Sequence, residues 1–321
     1  MKVISVGEVL IDMLAQRDSI AGTPPMMSPF QPHAGGAPAN VAVAVAKLGG
    51  QSSMISRVGS DVFGDYLISM LRHYQVGVEA VVQLEVAKTA LAFVSLDKDG
   101  ERSFDFYLEN AAHTWLDKAA FADVVIQDDD IVHFCSGSLA TPRLREGTAL
   151  LLDKVGKAGA LSSLDINFRP AFWASLDDAP GMIDNVASQV SIIKASQEEL
   201  DALYGQNKTT QCIKHWLDSG VKLILLTDGG KAVRCYTANG QVSVTPPDAS
   251  VKDTTAAGDS FIGGLLYSVT RQLKDAGGFD EWVSNPAALE AAVSFAARCG
   301  AHTVSQYGAF TALPSARDVS D

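Results

Sequence analysis

The chain has 321 residues, 47% of them hydrophobic, with a formal net charge of −12. That is ample for a large core, and the acidic balance argues against a protein that binds nucleic acid by neutralising phosphates. Four widely spaced cysteines without a Cys-x-x-Cys pair argue against structural zinc, and with neither a signal peptide nor a membrane-length apolar run the reduced cytoplasm is the expected setting.

In chain order, the pattern predicts a strand at 3–6, a helix at 39–48, a strand at 54–58 and a helix at 63–74. A strand at 131–134, a helix at 143–155 and strands at 161–165 and 192–194 follow. Next come helices at 197–203 and 209–217, a strand at 223–227, and helices at 258–270 and 287–298. Strands alternating with helices imply an α/β fold with a mainly parallel sheet covered on both faces, and ligands at the carboxyl ends of its strands. Two segments break the alternation. Residues 16–33 are rich in Pro, Met and Gly. Residues 89–108 hold two β-like runs, 90–96 and 102–108, joined by Asp-Lys-Asp-Gly-Glu, a hairpin signal. Together they suggest a small β appendage over the sheet. Its function is either a lid that excludes water or a surface for a homodimer.

Asp253-Thr-Thr-Ala-Ala-Gly258-Asp259 precedes apolar residues at helical spacing, Phe261, Ile262, Leu265 and Leu266. Ala256, Ala257 and Gly258 let backbone amides approach a ligand, and Asp259 sets a carboxylate beside them. A helix starting here would aim free N–H groups at an anion. Phosphate cradle and base are two parts that phosphoryl transfer needs. An ordinary capped helix is the alternative. The second informative stretch is Gly35-Gly-Ala-Pro-Ala-Asn40. Its glycines permit close approach of a ligand, and the Asn40 amide can both donate to and accept from hydroxyls. A plain glycine turn would look the same. The stretch fits neither a P-loop nor a dinucleotide fingerprint.

These two signatures, in this order and separation, resemble those of the ribokinase-like (phosphofructokinase-B type) carbohydrate kinases, and the resemblance spans nearly the whole chain. Gly7-Glu-Val-Leu-Ile-Asp12 is similar to the family's first strand segment. Asp165-Ile-Asn167-Phe-Arg169-Pro170, with Trp173 after it, resembles a segment of bacterial fructokinases. The resemblance implies a three-layer α/β/α fold in one domain, 1–321, with a lid from two insertions at about 14–34 and 88–112. It implies transfer of the ATP γ-phosphoryl to a primary hydroxyl of a sugar.

Roles follow from the same resemblance. Asp259 would be the general base. The amides of Ala257, Gly258 and Asp259, after Ala256, would form the anion hole, with Arg169 as a fixed positive charge near the phosphates and Arg102 a weaker candidate. Asp12, Gly35, Gly36 and Asn40 would bind the sugar, with Phe104 covering its face and His33 nearby. Lys194, Ser196, Thr227, Gly229 and Gly258 would contact ATP. Glu199 would orient waters on Mg²⁺. Asp253 and Thr255, with Thr303, Gln306 and Gly308 opposite, would form a K⁺ site. Ser196 replaces the family's usual Asn, and Asp228 an apolar residue before Gly229. Fructose is the expected acceptor. Ribose, an aminoimidazole riboside and a 2-keto-3-deoxy sugar acid are the rivals, and a non-catalytic sugar- or nucleotide-binding sensor is the alternative of another class.

Overall fold

The structure is a computed structural model and describes residues 1–15, 30–96 and 102–320. Its first third runs β1 (Lys2–Val6), β2 (Leu10–Ala15), β3 (Phe30–Gly35), α1 (Ala37–Lys47), β4 (Gln51–Gly59), α2 (Val62–His73) and β5 (Gly77–Leu84). Then come β6 (Leu91–Leu96), β7 (Arg102–Tyr107), α3 (Lys118–Phe121), β8 (Asp130–Cys135), α4 (Pro142–Ala158), β9 (Leu161–Asp165) and α5 (Ala179–Ala187). The remainder holds β10 (Ile192–Ser196), α6 (Gln197–Tyr204), α7 (Thr209–Asp218), β11 (Leu223–Thr227), β12 (Val233–Thr237) and β13 (Gly240–Val244). Helices α8 (Ala257–Gln272), α9 (Phe279–Val283) and α10 (Pro286–Val304) close the chain.

The main sheet has the order β13-β12-β11-β10-β9-β8-β1-β4-β5. It is parallel except at one edge, where β12 pairs antiparallel with both β11 and β13. From β1 the chain winds one way through β4 and β5 and the other way from β8 to β11. The carboxyl ends of β1 and β8 therefore flank a switch point, where open α/β sheets bind ligands. Alternate strand residues go to opposite faces. Ile4, Val132, Leu164, Ile193 and Ile224 pack under α4, α5 and α7. Val3, Ile131, Leu161, Ile192 and Leu223 pack under α8 and α10. Each fully buried aliphatic side chain contributes about 2 kcal/mol. The three layers expected from the sequence are present.

Helix α8 lies close to both neighbours. A side chain on Gly263 would meet Ala44 of α1 at 2.7 Å, and one on Gly264 would meet Cys299 of α10 at 2.8 Å. This close seating fixes where the amino end of α8 emerges above the sheet.

A second sheet, β3-β2-β6-β7, forms the appendage. The expected hairpin is there: β6 pairs β7 antiparallel. The sequence did not foretell the parallel pairing of β2 with β6 that joins the two irregular segments. Phe106 and Leu108 pack on Leu10, Ala90, Ala92 and Ala111 at the base of this sheet. Expectations for Phe104, Arg102 and residues 16–29 concern side chains or segments outside those described. Strands β2, β5, β12 and β13 and helices α3, α5 and α9 are additions to the predicted elements. Edge strand β5 mixes buried and exposed positions without alternation, which hides it. The β12–β13 hairpin carried a legible turn signal in Asn239-Gly240.

Candidate active site

Asp259 occupies the first turn of α8 and is buried. Its Oδ2 accepts a hydrogen bond of 2.7 Å from Asn40 Nδ2, and its Oδ1 one of 3.2 Å from Asn167 Nδ2. Asn40 comes from α1, which opens at the Gly35-Gly36 turn. Asn167 follows β9. Burial pushes the Asp259 carboxyl up; the Asn40 amide, Lys194 and Arg169 pull it down, and the net shift is upward. Asn40 Oδ1 is buried with no protein partner. Asn167 stood in the quoted segment without an assigned role. The signal was its residue type, since Asn tolerates a positive φ, here +34°.

Helix α8 begins without a side-chain cap. Ala256 at its N-cap is left-handed, with φ +59°. The Ala257 amide donates to the Thr254 carbonyl at 3.3 Å. The Gly258 and Asp259 amides have no acceptor within the helix.

Under that helix start lies a buried ion pair, Lys194 Nζ to Asp165 Oδ2 at 3.0 Å. Burial alone would lower the Lys194 ammonium, but the Asp165 and Glu199 carboxylates outweigh it and hold it above the usual lysine range. A side chain on Gly258 would come within 2.8 Å of Lys194 Nζ. The bare glycine thus lets the lysine sit beneath the start of α8. Arg169 is exposed, and its charge reaches both Asp259 and Glu8.

Ser196 and Glu199 form a capping box on α6. The Glu199 carboxylate accepts from the Ser196 amide at 2.8 Å and from the Phe168 amide at 3.2 Å. Thr227 ends β11 and donates to the Ala195 carbonyl at 3.3 Å; Gly229 follows with φ +54°.

On the other side, Asp12 of β2 pairs in register with His33 of β3. A side chain on Gly35 would strike the Asp12 carboxylate, so the glycine makes room for it. Asp12 and His33 share a hollow with Thr255 and Gly308. Asp253 accepts from the Thr255 amide at 2.8 Å and the Gly308 amide at 3.0 Å. Thr303 ties the same region to α8 through Ser260 at 2.8 Å, and its carbonyl accepts from the Gln306 amide at 3.0 Å. A further buried acid, Glu8, was not singled out by the sequence. Burial pushes its carboxyl up to about 7, with the nearby Asp259 charge adding to the rise.

A buried carboxylate beside a helix start with free amides, at the switch point of a parallel sheet, defines a phosphoryl-transferring kinase of ribokinase-like fold. The chain belongs to the pfkB family of carbohydrate kinases, whose profile it matches over residues 1–316, and is an ATP-dependent enzyme of that class. It is 36% identical over 316 residues to fructokinase-2 of Oryza sativa subsp. japonica, covering 98% of this chain and 91% of that one. It superposes with TM-score 0.89 and 37% identity on a fructokinase from Xylella fastidiosa with bound ATP, covering 99% and 96% of the two chains. A double mutant of the Vibrio cholerae O395 fructokinase, in a fructose-, ADP- and potassium-bound form, gives 0.86 and 30%, covering 98% and 95%. Among the described residues no helix is long and apolar enough to cross a membrane.

Proposed function

We propose that this kinase phosphorylates D-fructose to fructose 6-phosphate. The observation that carries the chemistry is the buried Asp259 carboxylate held by Asn40 and Asn167 beside the free amides of α8. The choice of sugar is supported by the likeness to fructokinases.

The sugar lies between Asp12 and Asn40, with the unpartnered Asn40 Oδ1 accepting from one of its hydroxyls. Its primary hydroxyl meets Asp259. As the oxygen bonds to the γ-phosphorus and the bond to ADP breaks, the hydroxyl proton passes to Asp259. The Gly258 and Asp259 amides stabilise charge on the transferred group. Lys194, Ser196, Thr227 and Gly229 line the nucleotide side, and Arg169 adds positive charge from the rim.

Among the described residues no group of three His, Cys, Asp or Glu side chains could hold a metal ion. Mg²⁺ would therefore bind mainly through ATP phosphates and waters, where it neutralises phosphate charge. Glu199 fits this role: two backbone N–H groups leave its carboxylate acceptor positions for water. Asp253, Thr255, Thr303 and Gly308 would hold K⁺. The smaller sheet would act as the lid.

The test is ATP consumption by the purified chain with fructose, ribose, glucose, mannose, nucleosides and 2-keto-3-deoxygluconate. Fructose should give the highest kcat/KM. A higher kcat/KM for any other acceptor removes the assignment, and sugar binding without turnover favours the sensor.

A further inference from the structure

We propose that Phe172 is a positioning residue that couples the smaller sheet to Asp259, through the nine-residue stretch from Asp165 to Trp173. The inference rests on the kinase reading.

Phe172 is half-buried between two rings, one from the smaller sheet and one from the 112–115 turn that packs on β4 and α4. Phe106 of β7 meets it edge-on, with ring centroids 5.3 Å apart and planes at 87°. His113 lies at 6.0 Å and 38°. A side chain on Gly137 would come within 2.9 Å of the Phe172 ring, so the third wall of its seat exists only because that residue is glycine. An aromatic ring held on three sides reports any displacement of those walls.

The stretch behind Phe172 is braced. The Ile166 amide donates to the Lys194 carbonyl at 2.8 Å, Phe172 to the Arg169 carbonyl at 3.0 Å and Trp173 to the Pro170 carbonyl at 3.1 Å. The Asn167 amide donates to Asp165 Oδ1 at 3.3 Å, and the Phe168 amide to Glu199 Oε1 at 3.2 Å. Trp173 is sunk in the core. These ties leave the stretch little internal freedom, so a displacement of Phe172 is passed along it to Asn167 rather than absorbed. At its near end Asn167, in its left-handed conformation, holds Asp259 Oδ1. When the smaller sheet is seated, Phe106 presses Phe172 home and Asn167 is in line with the base. When the sheet lifts, Phe172 loses a wall and Asn167 shifts from the carboxylate. Transfer is thereby tied to a covered site.

A double-mutant cycle tests this. Phe106→Leu and Phe172→Leu should each lower kcat about tenfold with the ATP KM held within about twofold, because geometry at the base is lost rather than nucleotide binding. The double variant should be no slower than the slower single one, since both break the same contact. Phe172→Tyr, which keeps the ring, should retain wild-type kcat. Losses that multiply, or an unchanged kcat in either single variant, overturn the proposal. Hydrogen exchange reads the coupling without turnover, so it separates this inference from the choice of sugar. In Phe106→Leu the Asn167 and Phe168 amides should exchange faster while α10 is unchanged, and unaltered protection at those two amides overturns the proposal.

Discussion

Asn40 and Asp259 stand 219 positions apart in the chain and meet in a buried hydrogen bond of 2.7 Å. One comes from the helix behind the early diglycine turn and the other from the start of α8. The side chain expected to grip the sugar thus also orients the side chain expected to take its proton.

Asp259→Asn keeps the shape and removes the base. Its kcat should fall by roughly 10²–10⁴-fold, the range of a positioned general base. The fructose KM should stay close to wild type, as measured in a coupled ADP-release assay. Equal loss of kcat and of sugar affinity would place Asp259 in binding instead.

Asn40→Ala removes a hydrogen bond that holds the Asp259 carboxyl down against its burial. Its pKa should therefore rise further. The base works deprotonated, so the acid limb of kcat against pH should move to higher pH. A limb that stays in place, or moves down, would mean that another group sets it.

Glu8 makes a pH-dependent contribution to stability. Its carboxyl titrates near 7 in the fold against an ordinary 4.5. The folded state then holds a proton that the unfolded chain has lost, so stability from this group is full below about 4.5 and declines up to about 7. The whole effect is about 3 kcal/mol at most. Glu8→Gln should flatten that decline, seen as urea-unfolding free energies of both proteins at pH 5 and pH 7.5. Parallel pH profiles would rule out the linkage.

Lys194→Met should destabilise the protein by about 3–5 kcal/mol, because it strands the Asp165 carboxylate in the interior. Adding Asp165→Leu should recover most of that loss, since an apolar pair carries no desolvation penalty. Denaturant midpoints of the three variants decide it. A double variant as unstable as the sum of the two single ones would mean that the ion pair is not the source.

Much of this was legible in the chain. Gly, Ala and Asp before an apolar run signal a helix start with a carboxylate in its first turn through local chemistry, and α8 begins where that signal lies. The antiparallel pair β6–β7 was signalled by two β-like runs either side of Asp-Lys-Asp-Gly-Glu. Asn167 escaped assignment because its importance lies in a partner 92 residues away. Lys194 was expected at the nucleotide, but its pairing with Asp165 required knowing that β9 and β10 are neighbours. Glu8 looked like any acid after a strand until its burial was known.

Local sequence determined where the longer helices and the central strands lie, which residues are small enough for close packing, and which side chains carry acid or amide chemistry. Those properties depend on neighbours a few bonds away. Only the tertiary structure decided that Asn40, Asn167 and Asp259 converge, that Lys194 lies beneath the start of α8, and that Phe172 touches the smaller sheet. Those meetings follow from strand order and from the close seating of α8 between α1 and α10, and long-range pairing leaves no periodic trace in the segments it joins.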